Sequence, residues 1–106
     1  MFIRVDLALY PPVVTLEEPK DTKRFHVEVT GGNDAAMVFG ALVDAAAGRL
    51  EGDDAYITVD AVRRMAEGRV DDDWNDELNK MLEFARAKDW LDPAGNAIRA
   101  HVEWST

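Results

Sequence analysis

Apolar and polar residues alternate from the start of the chain, with Ile3, Val5, Leu7 and Leu9 on one side and Arg4, Asp6 and Tyr10 on the other. A two-residue period of this kind predicts a half-buried strand. Pro11-Pro12 ends it, and the stretch to Thr22 reads as an exposed connection with room for a short edge strand at Val13-Val14-Thr15-Leu16. The alternation returns from Arg24 to Thr30, with Phe25, Val27 and Val29 inward and Arg24, His26, Glu28 and Thr30 outward, which predicts a second strand. Gly31-Gly32-Asn33 breaks it. Asp34 is then placed to cap a helix running to about Ala47, with Gly48 as its left-handed stop. Met37, Val38, Phe39, Leu42 and Val43 leave Asp44 as that segment's main polar exception, so the helix is expected to be buried on more than one side, inside the fold or in a subunit interface.

The next polar break is Glu51-Gly52-Asp53-Asp54, after which Tyr56-Ile57 reads as extended. Thr58 can cap a short helix carrying Val59, Val62, Met65 and Ala66 on one face and ended by Gly68. Asp71-Asp72-Asp73 offers caps for a longer helix with the stripe Trp74, Leu78, Met81, Leu82 and Ala85. Trp90-Leu91 and the run from Ala97 to Trp104 flank Asp92-Pro93-Ala94-Gly95-Asn96, a turn composition that predicts a β-hairpin with Ile98, Ala100, Val102 and Trp104 inward. Trp74, Trp90 and Trp104 are expected to gather near the junction of long helix and hairpin, at least two of them in the core.

From about Asp34 to Trp104 this order of elements resembles the winged helix-turn-helix superfamily. The likeness is carried by Ile57-Thr58-Val59-Asp60-Ala61-Val62-Arg63-Arg64-Met65-Ala66, similar to the extended step and second helix of that fold. It is carried also by Leu82-Glu83-Phe84-Ala85-Arg86-Ala87-Lys88-Asp89-Trp90-Leu91-Asp92, similar to the end of its third helix and first wing strand, with Asp89 where a glycine often stands. The expectation is therefore a single α+β domain over 1-106. Strands and loop would occupy 1-33 and a winged-helix-like portion 34-104. The resemblance implies a third helix that can lie in the major groove of DNA.

Charge works against that implication. The chain carries 12 Lys and Arg against 21 Asp and Glu, a net charge of −9. Between Val70 and Asp89, Asp71, Asp72, Asp73, Asp76, Glu77, Glu83 and Asp89 outnumber Lys80, Arg86 and Lys88, so the front of the would-be recognition helix repels phosphate. A DNA-binding regulator would need Arg63, Arg64, Arg69, Lys80, Arg86 and Arg99 on one face. The reading favoured is a non-catalytic interaction or regulatory module in which Asp71, Asp72, Asp73, Asp76 and Glu77 guide a protein partner of basic or mixed charge, or a second copy of the chain.

Other chemistry is sparse. With no cysteine there are no disulfides, thiolate nucleophiles or Cys-based zinc sites. No apolar run approaches the ~20 residues that span a bilayer and the first residues do not form a signal peptide, so no membrane is expected and the expected location is the cytoplasm. Arg24-Phe25-His26-Val27-Glu28 and Arg99-Ala100-His101-Val102-Glu103 share a pattern that could offer two imidazoles and two carboxylates to a metal, the basis of a metal-dependent alternative; ordinary cross-strand polar pairs are the plainer expectation. Asp71-Asp72-Asp73 lacks EF-hand spacing, Thr30-Gly31-Gly32-Asn33-Asp34 lacks a Walker lysine, and Ser105 belongs to no triad. No cofactor, metal or catalytic residue is expected.

Overall fold

The computed structural model describes residues 1–105. The elements in order are β1 (Phe2–Asp6), β2 (Val13–Glu17), β3 (His26–Thr30), α1 (Ala35–Asp44), β4 (Gly48–Glu51), β5 (Asp54–Thr58), α2 (Val59–Ala66), α3 (Trp74–Ala87) and β6 (Ala97–Ser105). The strands form one mixed sheet in the order β2-β1-β3-β6-β5-β4. β1, β3 and β6 run parallel, while β2 lies antiparallel to β1, and β5 to both β4 and β6. The α+β class is as expected.

Alternation in the strands becomes burial on one face. Ile3, Val5, Leu16, Val27, Val29, Ala55, Ile57, Ala100 and Val102 form one core with Val38 and Leu42 of α1, Ala61, Val62 and Ala66 of α2, and Trp74 and Leu78 of α3. The sheet curls around the helices: α1 touches β4 at one edge and both β1 and β2 at the other, and α2 touches β2 and β5. Helices thus fill the space between two edges that the curl brings toward each other.

The helix starts follow the sequence. Asp34 accepts from the amides of Ala36 and Met37, and the Thr58 hydroxyl accepts from the Ala61 amide. At the end of α1 the left-handed residue is Ala46 (φ 52°), two positions before the expected Gly48. The amides of Ala46 and Ala47 donate to the carbonyls of Val43 and Leu42, the paired bonds of a Schellman stop. Gly48 answers a different need. A Cβ there would lie 1.9 Å from the Tyr56 carbonyl oxygen, so β4 can approach β5 only with glycine at that register. The polar break at 51–54 is accordingly the turn of a β4–β5 hairpin.

The winged-helix resemblance does not hold. The expected wing reduces to a turn at Asp92–Asn96 and one bridge between Leu91 and Ile98. β6 is instead an interior strand, its first half paired with β5 and its second half with β3. Nine residues of alternation outrun a two-residue partner, and the surplus takes β3 as a parallel neighbour. The N-terminal strands are therefore part of the main sheet. They are not an appendage to a C-terminal fold.

Three burial expectations also change. Met37, Phe39 and Val43 of α1 are exposed, so that helix buries only the stripe Val38, Ala41 and Leu42. Of the tryptophans only Trp74 is core, its indole N–H donating to the Pro19 carbonyl, while Trp90 and Trp104 are 40% and 42% exposed. Leu9 lies beyond the end of β1 and is exposed.

Candidate functional site

The expected partner-binding residues sit at the start of α3. Asp71, Asp72, Asp73, Asp76 and Glu77 are all exposed. None serves as a side-chain cap: Asp73 occupies the N-cap position with helical backbone angles and makes no capping bond, and the helix begins instead on backbone bonds from Trp74 to Asp71 and from Glu77 to Asp73. Among the described residues the only ion pair of the five is Glu77 with Lys80, at 3.8 Å. The helix macrodipole favours carboxylates in the first turn, where Asp76 and Glu77 lie.

Glu77 connects this acidic front to a feature the sequence did not disclose. Glu77, Lys80, Met81, Phe84 and Ala85 form one wall of a cleft of about 350 Å³. Thr22 to Phe25, ahead of β3, form the opposite wall, and Trp90, Ile98 and Arg99 complete the lining. Its origin is the split pairing of β6. β3 joins β6 only from Val27 opposite Val102 onward, and alongside Ala97–Arg99 its place is taken by Trp90-Leu91, tied by the Arg99 amide to the Trp90 carbonyl at 2.6 Å. The sheet is thus parted where α3 returns to it.

The end of α3 aims the residues there. Asp89 adopts φ 61°, and the amides of Asp89 and Trp90 donate to the carbonyls of Arg86 and Ala85, a second Schellman stop. That reversal turns Trp90 back against Phe84, ring centroids 5.6 Å apart and edge to face. Lys88 Nζ stands 5.6 Å from the Phe84 ring. Phe84 is 55% exposed, so the pair is an apolar surface half in water beside an apolar hollow.

The six cations required by a DNA-binding surface do not act together. Arg63 donates to Asn75 and Asn79, Arg64 to the Ala45 carbonyl, and Arg69 to the Leu16 carbonyl, so half of them tie α2 and its exit to neighbouring segments. Only Lys80 and Arg99 share the cleft, and Arg86 borders a neighbouring depression with Arg99.

The two His-Val-Glu triplets do come side by side, with Val27 opposite Val102 and Glu28 opposite Glu103. Their imidazoles nonetheless lean to different partners. His26 Nε2 lies 3.6 Å from Glu103, and His101 Nδ1 lies 3.9 Å from Asp54 on β5. Among the described residues no three His, Asp or Glu side chains are grouped to hold a metal ion. No described helix is long and apolar enough to cross a membrane. No protein family matches the chain, and neither does any curated protein or solved structure compared with it.

Proposed function

We propose that the chain is a non-catalytic binding module whose contact surface is the solvent-facing flank of α3 and whose partner is a protein of basic or mixed surface charge. The observation that carries this reading is that the carboxylates of Asp71, Asp72, Asp73, Asp76 and Glu77 are exposed together and none of them caps the helix. The macrodipole gives a reason for carboxylates inside the first turn but not for Asp71 and Asp72, which precede the helix. Phe84 lies seven residues beyond Glu77 on the same flank and supplies an apolar anchor beside the charged front. Carboxylates so placed steer encounter more than they hold a complex.

The test compares proteins retained from lysate by the natural chain and by an Asp71→Asn/Asp72→Asn/Asp73→Asn variant, at low and high salt. Expected is a set retained at low salt by the natural chain and lost by the variant, with circular dichroism unchanged. Identical sets from both proteins would end this reading.

The outer face of α1, with Met37, Phe39 and Val43 exposed, favours a second reading in which two copies pack through that helix. Sedimentation equilibrium over a wide concentration range tests it: one monomer mass throughout excludes such packing.

A further inference from the structure

Beyond the protein-partner reading, with which it shares Glu77 and Phe84 but on whose partner it does not depend, we infer that the cleft between α3 and the parted end of the sheet binds a small amphipathic carboxylate, an apolar chain or ring carrying one anionic group. Its lining contains two kinds of surface. Phe25, Met81, Phe84, Trp90 and Ile98 make it apolar, while Lys23, Arg24, Lys80 and Arg99 bring four cations against the single carboxylate of Glu77. This occurs in a chain whose net charge is −9.

The cations are also under-used. Lys80 has Glu77 as partner, but among the described residues Lys23, Arg24 and Arg99 have no carboxylate within 4.0 Å. Unpaired cations are common in this chain, where among the described lysines and arginines only Arg4, Arg49 and Lys80 are salt-bridged, so what marks these is their grouping around an apolar hollow, which leaves a position that an anion fills. Guanidinium groups at Arg24 and Arg99 suit a carboxylate, which they can grip through two parallel N–H bonds.

Size and shape narrow the occupant. A cleft of about 350 Å³ lies at the low end of small-ligand sites and is too small for a folded partner. Its apolar lining gives nothing to a bare phosphate or a sugar, whereas an alkyl or aryl group entering it would cover the half-exposed faces of Phe84 and Trp90. A neutral apolar molecule would gain that burial but leave the cations without a counter-charge. The carboxylate is therefore the discriminating feature, with the apolar body supplying most of the affinity.

The experiment titrates the full chain with dodecanoate, kept below its micelle-forming concentration, and in parallel with dodecanol. Binding is followed by calorimetry and amide NMR shifts. Expected are one dodecanoate per chain, shifts confined to the Thr22–Phe25, Lys80–Ala85 and Trp90–Arg99 segments, and dodecanol weaker by about tenfold, since one carboxylate among several partly screened cations is worth that much. The Arg24→Gln/Arg99→Gln variant is expected to weaken dodecanoate by about tenfold and leave dodecanol unchanged. Phe84→Ala, at an exposed position, weakens both ligands, and Phe39→Ser on α1 affects neither. The inference is overturned by equal affinity for acid and alcohol, by undiminished dodecanoate binding in the double arginine variant, by shifts centred on α1, or by no binding at all.

Discussion

Asp89 is the position where one backbone angle links the stability of the fold to the shape of the cleft. At φ 61° its side chain pays the left-handed penalty, roughly 1 kcal/mol and at the low end for aspartate. Its carboxylate also sits just past the C-terminus of α3, where the macrodipole disfavours an anion by about 0.3–1 kcal/mol. Replacement by glycine removes both costs and adds about 0.4–1 kcal/mol of unfolded-state entropy. Asp89→Gly is therefore expected to stabilise by about 0.5–1 kcal/mol, raising the melting temperature by roughly 2–8 °C for a domain of this size. Asp89→Asn keeps the left-handed tolerance and removes only the charge, so it should gain no more than the dipole share and lose that gain in high salt. Asp89→Val puts a β-branched side chain where it fits worst, and is expected to destabilise by about 1–2 kcal/mol while changing Trp90 fluorescence. Urea titrations of the three variants with the natural chain check the series. Should glycine destabilise, or valine be neutral with Trp90 undisturbed, the left-handed reversal is not what fixes the end of α3.

Two further substitutions test how the sheet and its helices are joined. Gly48→Ala drives a Cβ into the Tyr56 carbonyl and should destabilise by about 2–3 kcal/mol, with exchange protection lost first in β4 and β5; protection lost evenly across the chain would show the clash is not local. Trp74→Phe leaves the Pro19 carbonyl without its indole donor and opens space beneath α3, for an expected cost of about 2–3 kcal/mol in urea unfolding; a cost under about 0.5 kcal/mol would mean that this bond does not anchor the loop.

How much was legible in the sequence depended on whether a signal was local. Caps at Asp34 and Thr58, the alternation of β1 and β3, and the stripe of α3 are short-range patterns, and each produced its element. The end of α1 differs from the sequence expectation because glycine is only the usual left-handed residue, and here Ala46 bears the strain while Gly48 meets a steric demand from β5, eight residues further on. β4 is not legible in the sequence because Gly48-Arg49-Leu50-Glu51 is too short and polar to alternate visibly, and it becomes a strand by pairing. The wing failed for a related reason: local pattern says that Ala97 to Trp104 is extended, but not which strand will lie beside it. Five carboxylates at the front of α3 were legible as a cluster, and their lack of capping bonds was not, since that depends on backbone angles at Asp73.

The cleft belongs wholly to the second kind of information. Its cations come from Lys23 and Arg24, Lys80, and Arg99, three stretches of chain with no shared motif. They converge because β6 is longer than any one neighbour: β3 pairs with its second half, the Trp90-Leu91 return pairs with its first, and the walls stand apart where one partner gives way to the other. The Arg99 amide is taken by the Trp90 carbonyl, so a backward extension of β3 would run into that return once Phe25 stood opposite Ala100. Phe25 and Arg24 instead turn aside to line it, with Arg24 exposed and Phe25 only partly buried. The parting is thus set by the Trp90-Leu91 return, which follows from the left-handed reversal at Asp89.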